Sequence, residues 1–393
     1  MQTLEYEFIA HPRILYGDCS LEEIPAELAE NDACKPLVIA SREAVRRKLG
    51  KTLIRAFYDS GCIIGGIYDE VRDYAGISLA LNAAQLFRKR GCDAFIALGD
   101  RAAADIARAA NILVSHKTDT LLPFFNGETP SRRLMPFIFV PTCCTGASAA
   151  GRTLFIDNRR LHSDYYFPDV VVTDRRMSLP CSARCAAESA ILAMDNALWS
   201  IIDDNQSPMK NAFAHAALKL IGDNLSGFLK RPRDGKRALP IANAGVLASI
   251  AAANARPGIV RVLGEELEKE TSIPAAVFIA NLTPAALFCI QKNESPLPGD
   301  LLLAAAGMDA YAAVPTEQLG RRGAEAIIEM FESAANEIPE AAISRIPAHL
   351  LAEACNNAAS REMVNFGADD AMAVLEMARQ EMPWQTHDNG ERK

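Results

Sequence analysis

Apolar and polar residues follow two different rhythms along this chain. Up to about residue 180, short apolar runs punctuated by glycine, proline or charge alternate with stretches of helical period. Pro36–Ala40, Gly61–Tyr68, Ala94–Leu98, Met135–Val140 and Val170–Thr173 read as strands, since short continuous apolar runs suit strands buried on both faces. Between them, Glu43–Tyr58 and Ile77–Arg90 place apolar residues at helical spacing, and a further helix starts at Ala102. Strands alternating with helices predict βαβ units and a doubly wound, mostly parallel sheet.

Past Leu179-Pro180 the strand signals stop. Alanine-rich segments of helical period cover Ala183–Ile202, Pro208–Leu229, Arg237–Asn254, Pro257–Lys269, Pro274–Gln291, Thr316–Ala335 and Ala368–Arg379. The expected architecture is an α/β domain over 1–180 followed by an all-α domain over 181–393, whose last nine residues, QTHDNGERK, form a frayed polar tail.

Composition narrows the partners. The formal charge is 41 − 49 = −8, which speaks against a nucleic-acid or anionic-membrane partner. The apolar stretch Ile273–Ile290 contains Pro274, Asn281, Thr283 and Pro284, and reads as a buried helix rather than a membrane span. MQTLEYEF lacks the basic and apolar regions of a signal peptide, so the cytoplasm is the expected compartment. The ten cysteines are scattered. Cys143-Cys144 are adjacent and Cys181/Cys185 four apart, neither with CxxC spacing, so reduced thiols are expected. Six histidines leave little material for a metal site built on several imidazoles.

One segment is placed to bind phosphate. Ala94–Asp105 is a strand, a single glycine (Gly99) and a helix start, where backbone N–H groups and the helix dipole would face an anion. Asp100 opposes this, because its carboxylate would cap the same N–H groups, while Arg101 offsets the charge. The plainer reading is a strand–turn–helix capped by Asp100.

An ordered series of segments then resembles the iron-containing (group III) alcohol dehydrogenase family, of the dehydroquinate-synthase-like superfamily. The series runs Phe8–Gly17, Ile96–Arg108, Val140–Thr142, Phe167–Asp174, Leu179-Pro180, Asp195–Trp199, Ser207-Pro208, Arg237–Gly245 and Asn365–Asp370. It implies a nucleotide-binding α/β domain followed by a metal-binding helical domain. It also implies NAD or NADP as cofactor, a small alcohol or aldehyde as substrate, and a homodimer or larger oligomer. The apolar segment Tyr6–Ile9 is a candidate edge strand for pairing between chains.

The resemblance carries over unevenly. The family's Gly-Gly-Gly-Ser-x-x-Asp loop falls on Gly99, Asp100, Arg101, Ala102 and Asp105, with Arg108 in place of lysine. The second nucleotide segment falls on Pro141–Ala149, where Pro141, Thr142 and Ser148 match. The position after the second strand, often an NAD-selecting Asp, is Ser41 beside Arg42. That pair is compatible with a 2′-phosphate, or Ser41 simply caps the following helix.

At the family's four metal ligands, one Asp and three His, this chain carries Asp195, Trp199, Arg261 and Ala275. Only Asp195 remains a ligand type, which speaks against iron or zinc. Two readings share one premise, that Arg261 sits beside Asp195. Either the guanidinium stands where the metal would be and stabilises a developing alkoxide, or the pair is a structural plug in a dead site. Asp203 and Asp204, two turns on, could in principle supply oxygens but read as a solvated helix end. The sequence thus supports three functions. The first is an NAD(P)-dependent oxidoreductase with altered or absent metal. The second is a degenerate paralogue acting as a binding, scaffold or sensor protein. The third is a nucleotide binder without hydride transfer.

Overall fold

The computed structural model describes residues 6–72, 75–131, 133–142, 145–179, 182–205, 207–232, 234–292, 296–339, 343–361 and 364–379. Pro180, Cys143, Cys144, Cys181 and the polar tail lie outside the described residues.

The strands are β1 (Arg13–Gly17), β2 (Pro36–Ala40), β3 (Gly66–Tyr68), β4 (Ala94–Gly99), β5 (Phe137–Pro141), β6 (Thr153–Ile156), β7 (Arg159–His162) and β8 (Val170–Asp174). The helices of the same stretch are α1 (Ile24–Glu30), α2 (Arg42–Arg46), α3 (Leu49–Arg55), α4 (Ile77–Arg90), α5 (Arg101–Ser115), α6 (Leu122–Phe125) and α7 (Arg175–Ser178). Then follow α8 (Ala183–Ile202), α9 (Pro208–Lys230), α10 (Gly235–Ala253), α11 (Ile259–Thr271), α12 (Ala275–Lys292), α13 (Asp300–Ala312), α14 (Leu319–Ala335), α15 (Ala348–Ala359) and α16 (Ala368–Arg379).

Six strands form one sheet in the order β1-β8-β5-β4-β2-β3, with every pairing parallel. β6 and β7 form a separate antiparallel hairpin. Alternate side chains of each strand face opposite sides. Val38, Ile96, Leu98, Ile138, Val140 and Val172 join Leu21, Ile24, Leu28 and Leu53 in one core. On the other side Phe95 stacks on Phe87 of α4 at 4.5 Å. Both faces are covered, as continuous apolar strands require.

The chain steps outward from β2 to β3 and returns to β4 on the far side of β2. The strand order therefore reverses between β2 and β4, and the crevice at their carboxyl ends is where such sheets take ligands.

The predicted helix over 43–58 is two helices. Lys48 adopts a left-handed φ of 57° and breaks it. Helices α13 and α15 and the β6–β7 hairpin are absent from the sequence reading. Gly307, at φ 84°, kinks α13 and blurs its period. Tyr6–Ile9 is not a strand: Phe8 stacks on Phe213 of α9 at 5.6 Å. Of the described cysteines, Cys19 and Cys34 are exposed, while Cys62, Cys92 and Cys355 are buried.

The chain divides into two compact units. The sheet unit is Ile9–Ser182 with Pro232–Ala253, and the helical unit is Met1–Phe8, Ala183–Arg231 and Asn254–Lys393. Helix α10, whose period resembles that of its neighbours in sequence, is thus grouped with the sheet unit. It packs on the 3-10 turn Thr145–Ser148, where a Cβ on Gly146 would lie 2.7 Å from the Ala242 carbonyl oxygen. In the helical unit, α12 is long and apolar enough to cross a membrane, and 61% of it is buried among its neighbours.

Candidate functional site

In the sheet unit, the crevice between β2 and β4 brings several predicted residues together. Ser41 donates its backbone N–H to the Leu98 carbonyl at 2.9 Å, and Thr142 donates to the Gly99 carbonyl at 3.0 Å. Gly99 has φ 150°, and a Cβ there would overlap the Ser41 side chain. Glycine is required because β2 and β4 converge at this point. Ser41 caps α2, its Oγ accepting from the Ala44 N–H at 3.2 Å. Asp100 caps α5, its Oδ1 accepting from the Ala103 N–H at 3.2 Å. Both capping assignments made from sequence therefore hold as geometry. Arg101 places its guanidinium 4.9 Å from the centre of the Phe155 ring. Ala102 is partly exposed in the first turn of α5, and Ser148 ends the turn that packs on α10.

Asp105 and Arg108, the matched end of the family's phosphate loop, face the protein interior. Arg108 Nη1 lies 3.0 Å from Asp105 Oδ1, with side-chain exposures of 1% and 2%. Nε donates to the Tyr166 carbonyl at 2.9 Å and Nη2 to the Gly151 carbonyl at 3.1 Å. Asp105 Oδ2 accepts the Phe155 N–H at 3.2 Å. Every guanidinium nitrogen has a protein acceptor, so the pair fastens α5 to β6 and to the segments at Gly151 and Tyr166. Burial pushes the Asp105 carboxyl up to about 6 against the pull of Arg108 and Arg101, and pushes Arg108 down.

In the helical unit, Asp195 and Arg261 meet, the premise that the catalytic and the structural readings of the pair share. Arg261 Nε donates to Asp195 Oδ2 at 2.8 Å. Nη2 donates to the Leu192 carbonyl at 2.9 Å and to Asn196 Oδ1 at 2.7 Å. Among the described residues Nη1 has no acceptor of comparable geometry, and the side chain keeps 15% of its surface exposed. Helix α8 supplies the clamp because residues 192, 195 and 196 share one face.

Burial pushes the Asp195 carboxyl up to about 6. Arg261 opposes the shift, Glu265 adds to it, and the Trp199 indole N–H weakly opposes it. That N–H and Asp195 Oδ1 are both buried without a well-formed hydrogen bond. They lie close enough for the dipole to favour the carboxylate, but not in bonding geometry.

The other positions contribute no donors. Trp199 has no lone pair to offer and Ala275 presents a methyl group. Asp203 is held by the buried Lys210, Nζ to Oδ2 3.0 Å, so it is not a spare oxygen ligand. Among the described residues no three His, Cys, Asp or Glu side chains come together as a metal site. Sequence reasoning missed Leu192 and Asn196, which complete the Arg261 clamp. The i−3/i+1 spacing around Asp195 is the signal that could have found them. It also missed Arg361, which binds Glu265 at 2.7 Å and Glu266, and no local motif announces it.

A two-part chain with a six-stranded parallel sheet and a helical remainder defines a class, and comparison with known proteins places it further. The family model described as iron-containing alcohol dehydrogenase matches residues 11–175. A sulfoacetaldehyde reductase of Bilophila wadsworthia is 21% identical over 278 residues, covering 69% of this chain and 71% of the relative. A 1,3-propanediol dehydrogenase of Citrobacter freundii is 26% identical over 206 residues, covering 51% and 53%. A crystal structure of 1,3-propanediol oxidoreductase superposes with a TM-score of 0.85 at 18% identity, over 95% of this chain and 100% of that one. The sulfoacetaldehyde reductase of Bifidobacterium kashiwanohense in complex with NAD+ gives 0.79 at 15% identity, over 96% and 99%. The chain is a distant relative of the iron-containing alcohol dehydrogenases and has their fold.

Proposed function

We propose that this chain is an NAD(P)-dependent oxidoreductase interconverting a small alcohol and its aldehyde, with the Arg261 guanidinium in the place of the family's divalent metal. The observation that carries the reading is the clamped but incompletely used guanidinium. Three acceptors hold Nε and Nη2, Nη1 has no acceptor among the described residues, and the side chain keeps 15% exposure. A fixed cation with an unused donor can stabilise negative charge on a substrate oxygen, the role a Lewis acid would otherwise fill. Asp195 acts as a positioning residue, holding the fork and balancing its charge.

The donors at this position do not fit iron or zinc. A metal would meet one carboxylate already bound to a cation, an indole and a methyl group. The nucleotide half fits by position. Ser41, Gly99 and Thr142 lie at the carboxyl ends of β2, β4 and β5, the usual place for a dinucleotide, with Arg42 and Arg101 as cations. Asp100 is the opposing charge. When bound, a nicotinamide supplies or accepts the hydride. Ser41 beside Arg42, in place of an acidic residue, is compatible with a 2′-phosphate, so NADP is included. The names of the relatives support small carbonyl compounds as substrates. We also propose a homodimer or larger assembly, a cytoplasmic setting, and no nucleic-acid or membrane partner.

The second reading, a degenerate paralogue serving as a scaffold or sensor, draws on Asp100, whose carboxylate occupies the Ala103 N–H at the helix start where a pyrophosphate would sit. Titration with NADH and NADPH, following cofactor fluorescence, separates the two. Saturable binding supports the oxidoreductase, whereas no binding at millimolar cofactor removes both nucleotide readings. A panel of small aldehydes then tests turnover.

A further inference from the structure

The helical unit holds a hollow of about 600 Å³ that Asp195 and Arg261 do not line. Its walls are the carboxyl-terminal end of α8, residues 256–259, α12, residues 296–298 and the start of α16. Trp199 forms one wall. Its ring lies against Gly258 so closely that a Cβ on that residue would overlap the indole, which fixes the ring in place. Ile202, Ile290, Phe366 and Val374 make the rest of the lining mainly apolar. A hollow of this size suits a compact organic molecule.

The polar groups set its chemistry. Asp203 is neutralised by Lys210 at 3.0 Å. Asp204 and Asp370 stand exposed at the rim, and Asp370 uses only Oδ2, accepting the Gly367 N–H at 2.8 Å. Arg256 also lines the hollow. Two exposed carboxylates and one guanidinium in a lining that also holds Trp199 and Phe366 favour a positively charged group with an apolar body. We propose that this hollow binds a small organic amine, its ammonium at Asp204 and Asp370 and its body of roughly six to ten carbons against Trp199 and Phe366. The site goes beyond the oxidoreductase reading and uses neither Asp195 nor Arg261.

Trp199 and Trp384 are the two tryptophans of the chain, so Trp384→Phe leaves Trp199 as the only indole reporter. That variant is titrated with 2-phenylethylamine and with the neutral 2-phenylethanol at pH 7, without nucleotide. The expected result is a saturable change in Trp199 emission, with Kd for the amine at least about tenfold below that for the alcohol. Asp204→Asn combined with Asp370→Asn should reduce that preference to about threefold or less. No saturable change with the amine, equal affinity for amine and alcohol, or an undiminished preference in the double variant overturns the proposal. If Trp384→Phe does not fold, calorimetric titration of the unaltered chain with the two probes makes the same decision. Nucleotide titration does not enter, so this proposal and the oxidoreductase reading can fail separately.

Discussion

Two Asp–Arg pairs, one in each unit, differ in one respect. Arg108 is sealed: its three nitrogens all have acceptors and its side chain is 1% exposed. Arg261 is clamped by Asp195, Leu192 and Asn196, yet keeps Nη1 open and 15% exposure. Burial pushes both aspartates up to about 6, so the perturbed carboxyl alone does not mark function. What separates a fastening from a reagent here is whether the cation has a donor left over.

The largest expected difference is in stability. Asp105→Ala leaves the buried Arg108 Nη1 and the Phe155 N–H without acceptors and should cost about 3–5 kcal/mol, read as a fall in the denaturant midpoint. Asp195→Ala removes one acceptor but leaves Arg261 with two others and access to water, and should cost about 1–2 kcal/mol. Equal losses would erase the distinction.

Turnover should behave in the opposite way. Arg261→Ala should lower kcat for aldehyde reduction by about 100- to 1,000-fold. Added guanidinium ion at low millimolar concentration should restore part of it, which a purely structural role would not allow.

Acidity sharpens the comparison. A folded carboxyl raised above its unfolded value takes up a proton on folding as pH falls from about 6 towards 4. Asp195 and Asp105 therefore each add stability on acidification over that window and detract from it when ionised. Activity runs the other way. Protonated Asp195 holds Arg261 less firmly, so kcat should fall below about pH 6. Asp195→Asn should abolish that acid limb, and Asp105→Asn, if it folds, should keep it.

The smallest effect concerns the nucleotide half. Asp100→Ser keeps a helix cap and removes one negative charge. Affinity for NADH should improve about two- to five-fold, corresponding to about 0.3–1 kcal/mol. Weaker binding would mean that Asp100 assists the ligand.

Much of this was readable in the chain. The apolar runs ending at Ala40 and Gly99 and the helix Ile77–Arg90 follow from local pattern, and the capping roles of Ser41 and Asp100 from side-chain chemistry. The Asp195–Arg261 contact, across 66 positions, came from the order of motifs and not from any local signal. Helix α10 shows the limit. Its period announces a helix, but its place against the 145–148 turn depends on Gly146 and Gly245 meeting backbone to backbone. The burial of Arg108 was equally hidden, because an Asp and Arg three apart on a helix usually face solvent. The hollow beside Trp199 is assembled from distant segments and leaves no trace in spacing.

The central claim is that the Arg261 guanidinium does the work of a metal, and its most direct test is turnover after exhaustive chelation. Protein treated with a strong chelator and shown to be free of iron and zinc should reduce a small aldehyde at an unchanged rate, while Arg261→Ala under the same conditions should be nearly inactive. Loss of the wild-type rate on chelation with recovery on adding iron or zinc would contradict the account, as would undiminished turnover in Arg261→Ala.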